Sequence, residues 1–410
     1  MSNAILIRGA RQLVTVSGPA GPRRGAEMKE LHIIPDGAVL IQDGRISDVG
    51  PSRRVERLAA ARKSDEINAN GQVVLPGFVD CHTNLLSGPP VLEEHGARTR
   101  AGLMATVRTM RSYSKQRLEL ETRRLVRQFV RYGVTTLGSM TGYGLDETTE
   151  LRSLRILKGL AERSLAIVST YFGARSCPAE YEGRAEEYLD WMAGRMLPLI
   201  RKRRLAGSVA AELGPAAFED SLCLRYLKQA SDAGFRVRVV AGEGCGDEPV
   251  RIALQAGAVS IERLRKASVE VMRALAESET LACLTPGECY HRGETEYPPA
   301  RQLMEEGAAV ALASGFDSSA SPTCSMPMVL SIACSQMGLA AGEAITAGTI
   351  NGAHVLGVAD RAGSIEYGKD ADLVMMHVPD YREIPLHFGM NPVAMVMRRG
   401  QRIWPRLETA

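Results

Sequence analysis

Long apolar runs are missing from this chain of 410 residues, and none approaches the roughly 20 residues needed to cross a bilayer, so no membrane role is expected. A dominant charge is missing too. The 50 Lys and Arg face 47 Asp and Glu for a net charge of +3, whereas a nucleic-acid binder carries a larger, clustered positive excess. The one dense basic run, Arg201-Lys202-Arg203-Arg204, follows the apolar "MLPLI" and reads as the solvated end of a helix rather than a phosphate patch. No CxxC pair occurs among the eight cysteines, which suits reduced thiols in a cytoplasmic protein. The opening "MSNAILIRGARQLVTV" lacks the charged, apolar, small-residue order of a signal peptide, and a cytoplasmic location is the expectation. Histidine is scarce, with seven residues in all.

What is present is an ordinary globular composition, 45% hydrophobic, with two textures. The first 75 residues are short β-branched runs, "AILIRGARQLVTV", "GAVLIQDGRISDVG" and "GQVVLPG", broken by Gly-Pro, Asp-Gly and Asn-Gly turns. The stretches "GKDADLVMMHVP" and "NPVAMVMRRGQRIW" near the other end match them. Residues 1–75 and 361–410 are therefore expected to form one small composite β-sandwich domain. Between them, strand candidates alternate with helical patterns such as "ETRRLVRQFVRYG". The strands are "VVLPGFVDCH", "GVTTLGSM", "LAIVSTYFGA", "GSVAAEL", "FRVRVVAGE", "AVSIERL", "TLACLTP" and "AAVALASGF". Eight such alternations predict a (β/α)8 TIM barrel over residues 76–360, with its chemistry at the C-terminal strand ends.

The first of those ends reads His82-Thr83-Asn84. Residues i and i+2 share a strand face, so His-x-His would offer one ion two imidazoles, and a catalytic metal needs three or four ligands. Here Asn84 offers only a weak neutral oxygen, and of the other histidines only His291 falls where a strand end is expected. His82 is then either one ligand of a reduced set or a hydrogen-bonded histidine packed at the barrel mouth.

At these residues the chain resembles the imidazolonepropionases of the amidohydrolase superfamily. "LPGFVDCHTN" is similar to their strand-one metal motif and "TGYGLDETTELRSLRILKGL" to their substrate-tyrosine segment. "STYFGARSCPAEYEG", "ETEYPPARQLMEEGAAVALASGFDSSASPTCSMPMVLSIAC" and "GSIEYGKDADLVMMHVPDYREIPLHFGMNPV" extend the likeness over almost the whole chain. The resemblance implies ring opening of 4-imidazolone-5-propanoate to N-formimino-L-glutamate in histidine breakdown, a zinc or iron centre and a homodimer.

The site positions depart from that pattern. The family's first metal histidine matches His82, but its second falls on Asn84, its third on Val240 and its aspartate on Gly315. The substrate arginine falls on Val91. Two further histidines fall on Arg175 and Arg263, a substrate asparagine on Asp317 and a neighbouring glycine on Ser319. Tyr143 keeps the substrate tyrosine, and Glu243 matches the acid/base carboxylate.

In the family the metal lowers the pKa of a bound water from about 15.7 towards 7, and a lone carboxylate cannot replace that. The expectation is a metal-independent enzyme with no cofactor, acting on a small cyclic nitrogenous or carboxylate-bearing molecule. Glu243 and His82 would be catalytic, with Tyr143, Arg175, Arg263, Asp317 and Ser319 binding the ligand. Arg175 and Arg263 would hold an anion, or pair with acids such as Glu262 and Asp317. The alternatives are a non-catalytic binding or partner subunit, and retained hydrolysis by a shifted ligand set. Cys289 and His291, two apart in a segment read as extended, would form either a thiolate pair or, with His82 and Glu243, a relocated metal site. The expected partner is a small molecule, with no nucleic acid and no membrane.

Overall fold

The computed structural model describes residues 4–89, 100–161, 165–214 and 217–405. Five strands come first: β1 (Ala4–Val14), β2 (Ile33–Gln42), β3 (Arg45–Pro51), β4 (Asp65–Asn68) and β5 (Val73–Pro76). Eight more follow, β6 (Phe78–Thr83), β7 (Val134–Met140), β8 (Ala166–Ala174), β9 (Ser208–Leu213), β10 (Arg236–Ala241), β11 (Ser260–Glu262), β12 (Leu281–Leu284) and β13 (Val310–Leu312). The last are β14 (Leu373–Met376), β15 (Val393–Arg398) and β16 (Gln401–Trp404).

The two groups of end strands share one mixed sheet in the order β16-β15-β14-β5-β1-β2-β3, with β4 also on β1. The link between the ends is β5, parallel to β1 and antiparallel to β14. Asp43 and Gly44 both take positive φ, 50° and 79°, which is the type I′ geometry that matches strand twist in a two-residue hairpin.

The middle strands β6 to β13 lie side by side in sequence order, all parallel. A parallel bridge between Thr83 and Phe316 brings the first strand back to the segment after the last, and the Asn84 amide donates to the Phe316 carbonyl at 2.7 Å. All eight expected barrel strands are present. "VVLPGFVDCH" is a partial exception, because its first half is β5 of the other sheet. The chain changes sheets at Gly77, where a Cβ would come within 2.3 Å of the Thr135 side chain, so no larger residue fits the crossing.

The helices outside the barrel follow local rules. In Lys115–Arg131 the Ser114 hydroxyl caps the Arg117 amide, and Leu118, Val126, Phe129 and Val130 are buried. The basic run ends the helix Leu197–Arg203, with Arg204 in the left-handed region at φ 51° and all four side chains exposed. Among the described residues, no helix is long and apolar enough to cross a membrane.

Candidate functional site in the barrel mouth

Strand alternation decides what enters the barrel. On β10, Arg238 and Val240 are two apart and share the inner face, and on β11 so do Ser260 and Glu262. Arg238 and Glu262 are both fully buried and pair at 2.5 Å. The Arg238 guanidinium also donates from Nε to Glu262 Oε1 at 2.7 Å, from Nη1 to Thr170 Oγ1 at 3.2 Å, and from Nη2 to the Cys81 carbonyl at 2.8 Å. The Ser260 hydroxyl donates to Glu262 Oε1 at 2.6 Å. Oε2 of the same carboxylate lies 2.6 Å from His82 Nδ1, which comes from the far side of the barrel on β6.

Burial alone would push the Glu262 carboxyl up, but Arg238 and then His82 outweigh it and hold it down at about 2. Burial likewise works against the Arg238 charge, and Glu262 more than restores it. The barrel axis is therefore occupied by a buried Arg238–Glu262–His82 chain.

Above it the C-terminal strand ends enclose a cavity of about 10 Å3, room for roughly one water. His82, Asn84 and Val240 line it together with Arg175, Arg263 and Glu212. Arg263 holds φ at 59°, an uncommon conformation for a long side chain. It forks onto Glu288 with bonds of 3.1 and 2.9 Å. Arg175 lies over the Tyr143 ring at 4.1 Å and over Phe172 at 5.6 Å, and its buried Nη1 has no hydrogen-bond partner among the described residues. Burial opposes the Arg175 charge, but the nearby Tyr143, Glu212 and Asp317 keep it above the ordinary arginine value. The Tyr143 hydroxyl donates to Asp317, whose other oxygen accepts from the Ser319 and Ala320 amides at 3.0 and 3.1 Å.

The structure thus gathers His82, Arg175 and Arg263 around one cavity, while Tyr143 packs against Arg175 from outside its lining, with Asp317 and Ser319 behind the tyrosine. Glu243 is not gathered with them. Its side chain is 47% exposed, is paired with Arg292 and lies outside that cavity. Of the acids expected to pair with the two arginines, Asp317 does help to hold the Arg175 charge. Glu262 serves Arg238 and His82, and Asp317 takes the tyrosine, while Arg263 has the unforeseen Glu288.

The Cys289–His291 expectation is corrected. The segment is a helix, Pro286–His291, where positions two apart point to nearly opposite sides. Cys289 is buried with its thiol pushed up by burial, so it is no thiolate, and His291 is exposed. Val91 lies outside the described residues.

Sequence reasoning missed Arg238, Glu288 and Glu212. The signal for Arg238 was its place in "RVRVV", two before Val240 on the inward face. Glu288 was hidden by reading its helix as extended.

The metal that the resemblance implies needs three or four donors. Among the described residues, no group of three or more His, Cys, Asp or Glu side chains could hold an ion. His82 Nδ1 is bound to a carboxylate that a guanidinium already neutralises. Gly315 sits at φ 62°, where a Cβ would meet the Thr285 Cβ at 2.8 Å, so an aspartate there would be strained. Among the described residues, the donors do not fit the ion.

Comparison with known proteins agrees with this fold. Residues 73–403 match the model of the amidohydrolase family. An imidazolonepropionase from Solibacter usitatus is 38% identical, over 99% of this chain and all of the relative. Another from Symbiobacterium thermophilum is also 38% identical, over 97% of each chain. Among solved structures, an atrazine chlorohydrolase from Arthrobacter aurescens complexed with zinc superposes with a TM-score of 0.75 at 16% identity, covering 97% of this chain and 94% of the other. An adenosine deaminase from Xanthomonas campestris with bound zinc gives 0.69 at 18%, covering 97% and 92%. The chain therefore belongs to the amidohydrolase family, among its imidazolonepropionase-like members.

Proposed function

We propose that this amidohydrolase-family chain is a hydrolase that works without a divalent metal, on a small cyclic nitrogenous or carboxylate-bearing molecule. One observation carries the proposal. His82, oriented by Glu262, faces a cavity flanked by the guanidinium groups of Arg175 and Arg263, in a site whose donors, among the described residues, do not fit an ion. A base oriented by a carboxylate is the logic of hydrolytic triads. Fixed guanidinium charge suits an anionic substrate or developing negative charge, because arginine does not lose its proton. The base falls to His82 rather than to the half-exposed Glu243.

The names of the relatives make 4-imidazolone-5-propanoate the first compound to test, followed by other five-membered cyclic amidines and lactams bearing a carboxylate. Protein stripped of metals should turn over its substrate at a rate that neither a chelator nor added zinc changes. Turnover that a chelator abolishes and zinc restores contradicts the proposal.

The cavity volume favours one other possibility. About 10 Å3 admits no organic ligand without rearrangement, as suits a non-catalytic descendant. Failure of every such compound either to bind or to be transformed would select it.

A further inference from the structure

We infer that Glu262 and Arg238 are positioning residues that hold a proton on His82 Nδ1 and turn its Nε2 towards the cavity. This rests on the reading of His82 as the base.

An ionised carboxylate only accepts hydrogen bonds. Glu262 is ionised because the Arg238 guanidinium, always charged, lies 2.5 Å from it in full burial. Every neighbour of that carboxylate must therefore donate. Arg238 and the Ser260 hydroxyl do so at Oε1, and His82 must do so from Nδ1 at Oε2. With Nδ1 committed to Glu262, the ring nitrogen left for the cavity that His82 lines is Nε2, which makes no hydrogen bond among the described residues.

Arg238 also grips the carbonyl of Cys81, the residue just before His82, so one guanidinium fixes the backbone of the base as well as its partner. In this barrel a side chain supplies the fixed positive charge on the axis.

The inference is tested on full-length protein carrying 15N-histidine, without any ligand. Two-bond proton–nitrogen correlation spectra at neutral pH report the proton on each ring nitrogen. The His82 signals are those lost in His82→Gln. The wild type should show a protonated Nδ1. In Glu262→Gln the new amide must turn its carbonyl towards the donors of Arg238 and Ser260, leaving its NH2 facing His82. Nδ1 must then accept, so it loses its proton and its signal takes the unprotonated character. Arg238→Lys keeps the charge, and should keep the proton on Nδ1.

A wild-type His82 without a proton on Nδ1 overturns the inference, as does an Nδ1 that stays protonated in Glu262→Gln. The wild-type spectrum decides even if a variant fails to fold. Because no turnover is read, a chain that transforms nothing can still pass this test, and an active one can still fail it.

Discussion

Replacing Arg238 with methionine is expected to lower the free energy of unfolding by about 3–5 kcal/mol, read by urea denaturation. The change removes little volume, but it leaves Glu262 ionised and fully buried with its main counter-charge gone. The double variant Arg238→Met/Glu262→Met should recover most of the loss, since an apolar pair of similar size is often as stable as a buried ion pair.

The pH dependence should reverse as well. In the wild type the Glu262 carboxyl titrates at about 2, below its ordinary 4.5. Its contribution is therefore complete above 4.5 and disappears as the pH falls towards 2. In Arg238→Met, burial without the guanidinium pushes the same carboxyl up. That variant should become relatively more stable on acidification, the opposite sign. A loss under 1 kcal/mol with unchanged acid dependence would mean that the buried chain does not hold the barrel axis together.

The second large effect is on chemistry. His82→Gln is expected to reduce turnover about 10²–10⁴-fold, the range for removing a positioned acid/base group. A glutamine still reaches Glu262 with its NH2, so thermal melting should change far less than in Arg238→Met. The loss should therefore fall on kcat rather than on folding, measured with whichever cyclic substrate the metal-stripped enzyme accepts. Glu243→Gln is the informative comparison. If the greater loss falls there, the base is Glu243, and its contact with Arg292 must open in the working enzyme.

How much of this was legible in the sequence depended on whether the cause was local. Alternating β-branched runs and the Asp43-Gly44 turn are local, and they located the barrel strands and the strands of the mixed sheet other than the short β4. The crossing at Gly77 lies within two residues of the boundary read at 75/76, although "VVLPGFVDCH" reads as one barrel strand and is split there between the two sheets. The candidate site was half readable. His82, Arg175 and Arg263 could be placed at strand ends, and the cavity joins them.

Their partners could not be read, because each is fixed by barrel closure rather than by spacing. Glu262 meets His82 across 180 positions, and Glu288 meets Arg263 only because Pro286–His291 is helical. Glu243 was misleading in the other direction. Its place just after β10 looks catalytic, but its side chain is half-exposed and paired with Arg292.

The most direct measurement is the metal content of the chain, purified without chelator and paired with its melting temperature in added zinc. With the Arg238–Glu262–His82 chain in place, the protein should carry no stoichiometric divalent metal, and zinc should leave its melting temperature where it was. One zinc or iron per chain, raising the melting temperature and lost in His82→Gln, would contradict the central claim.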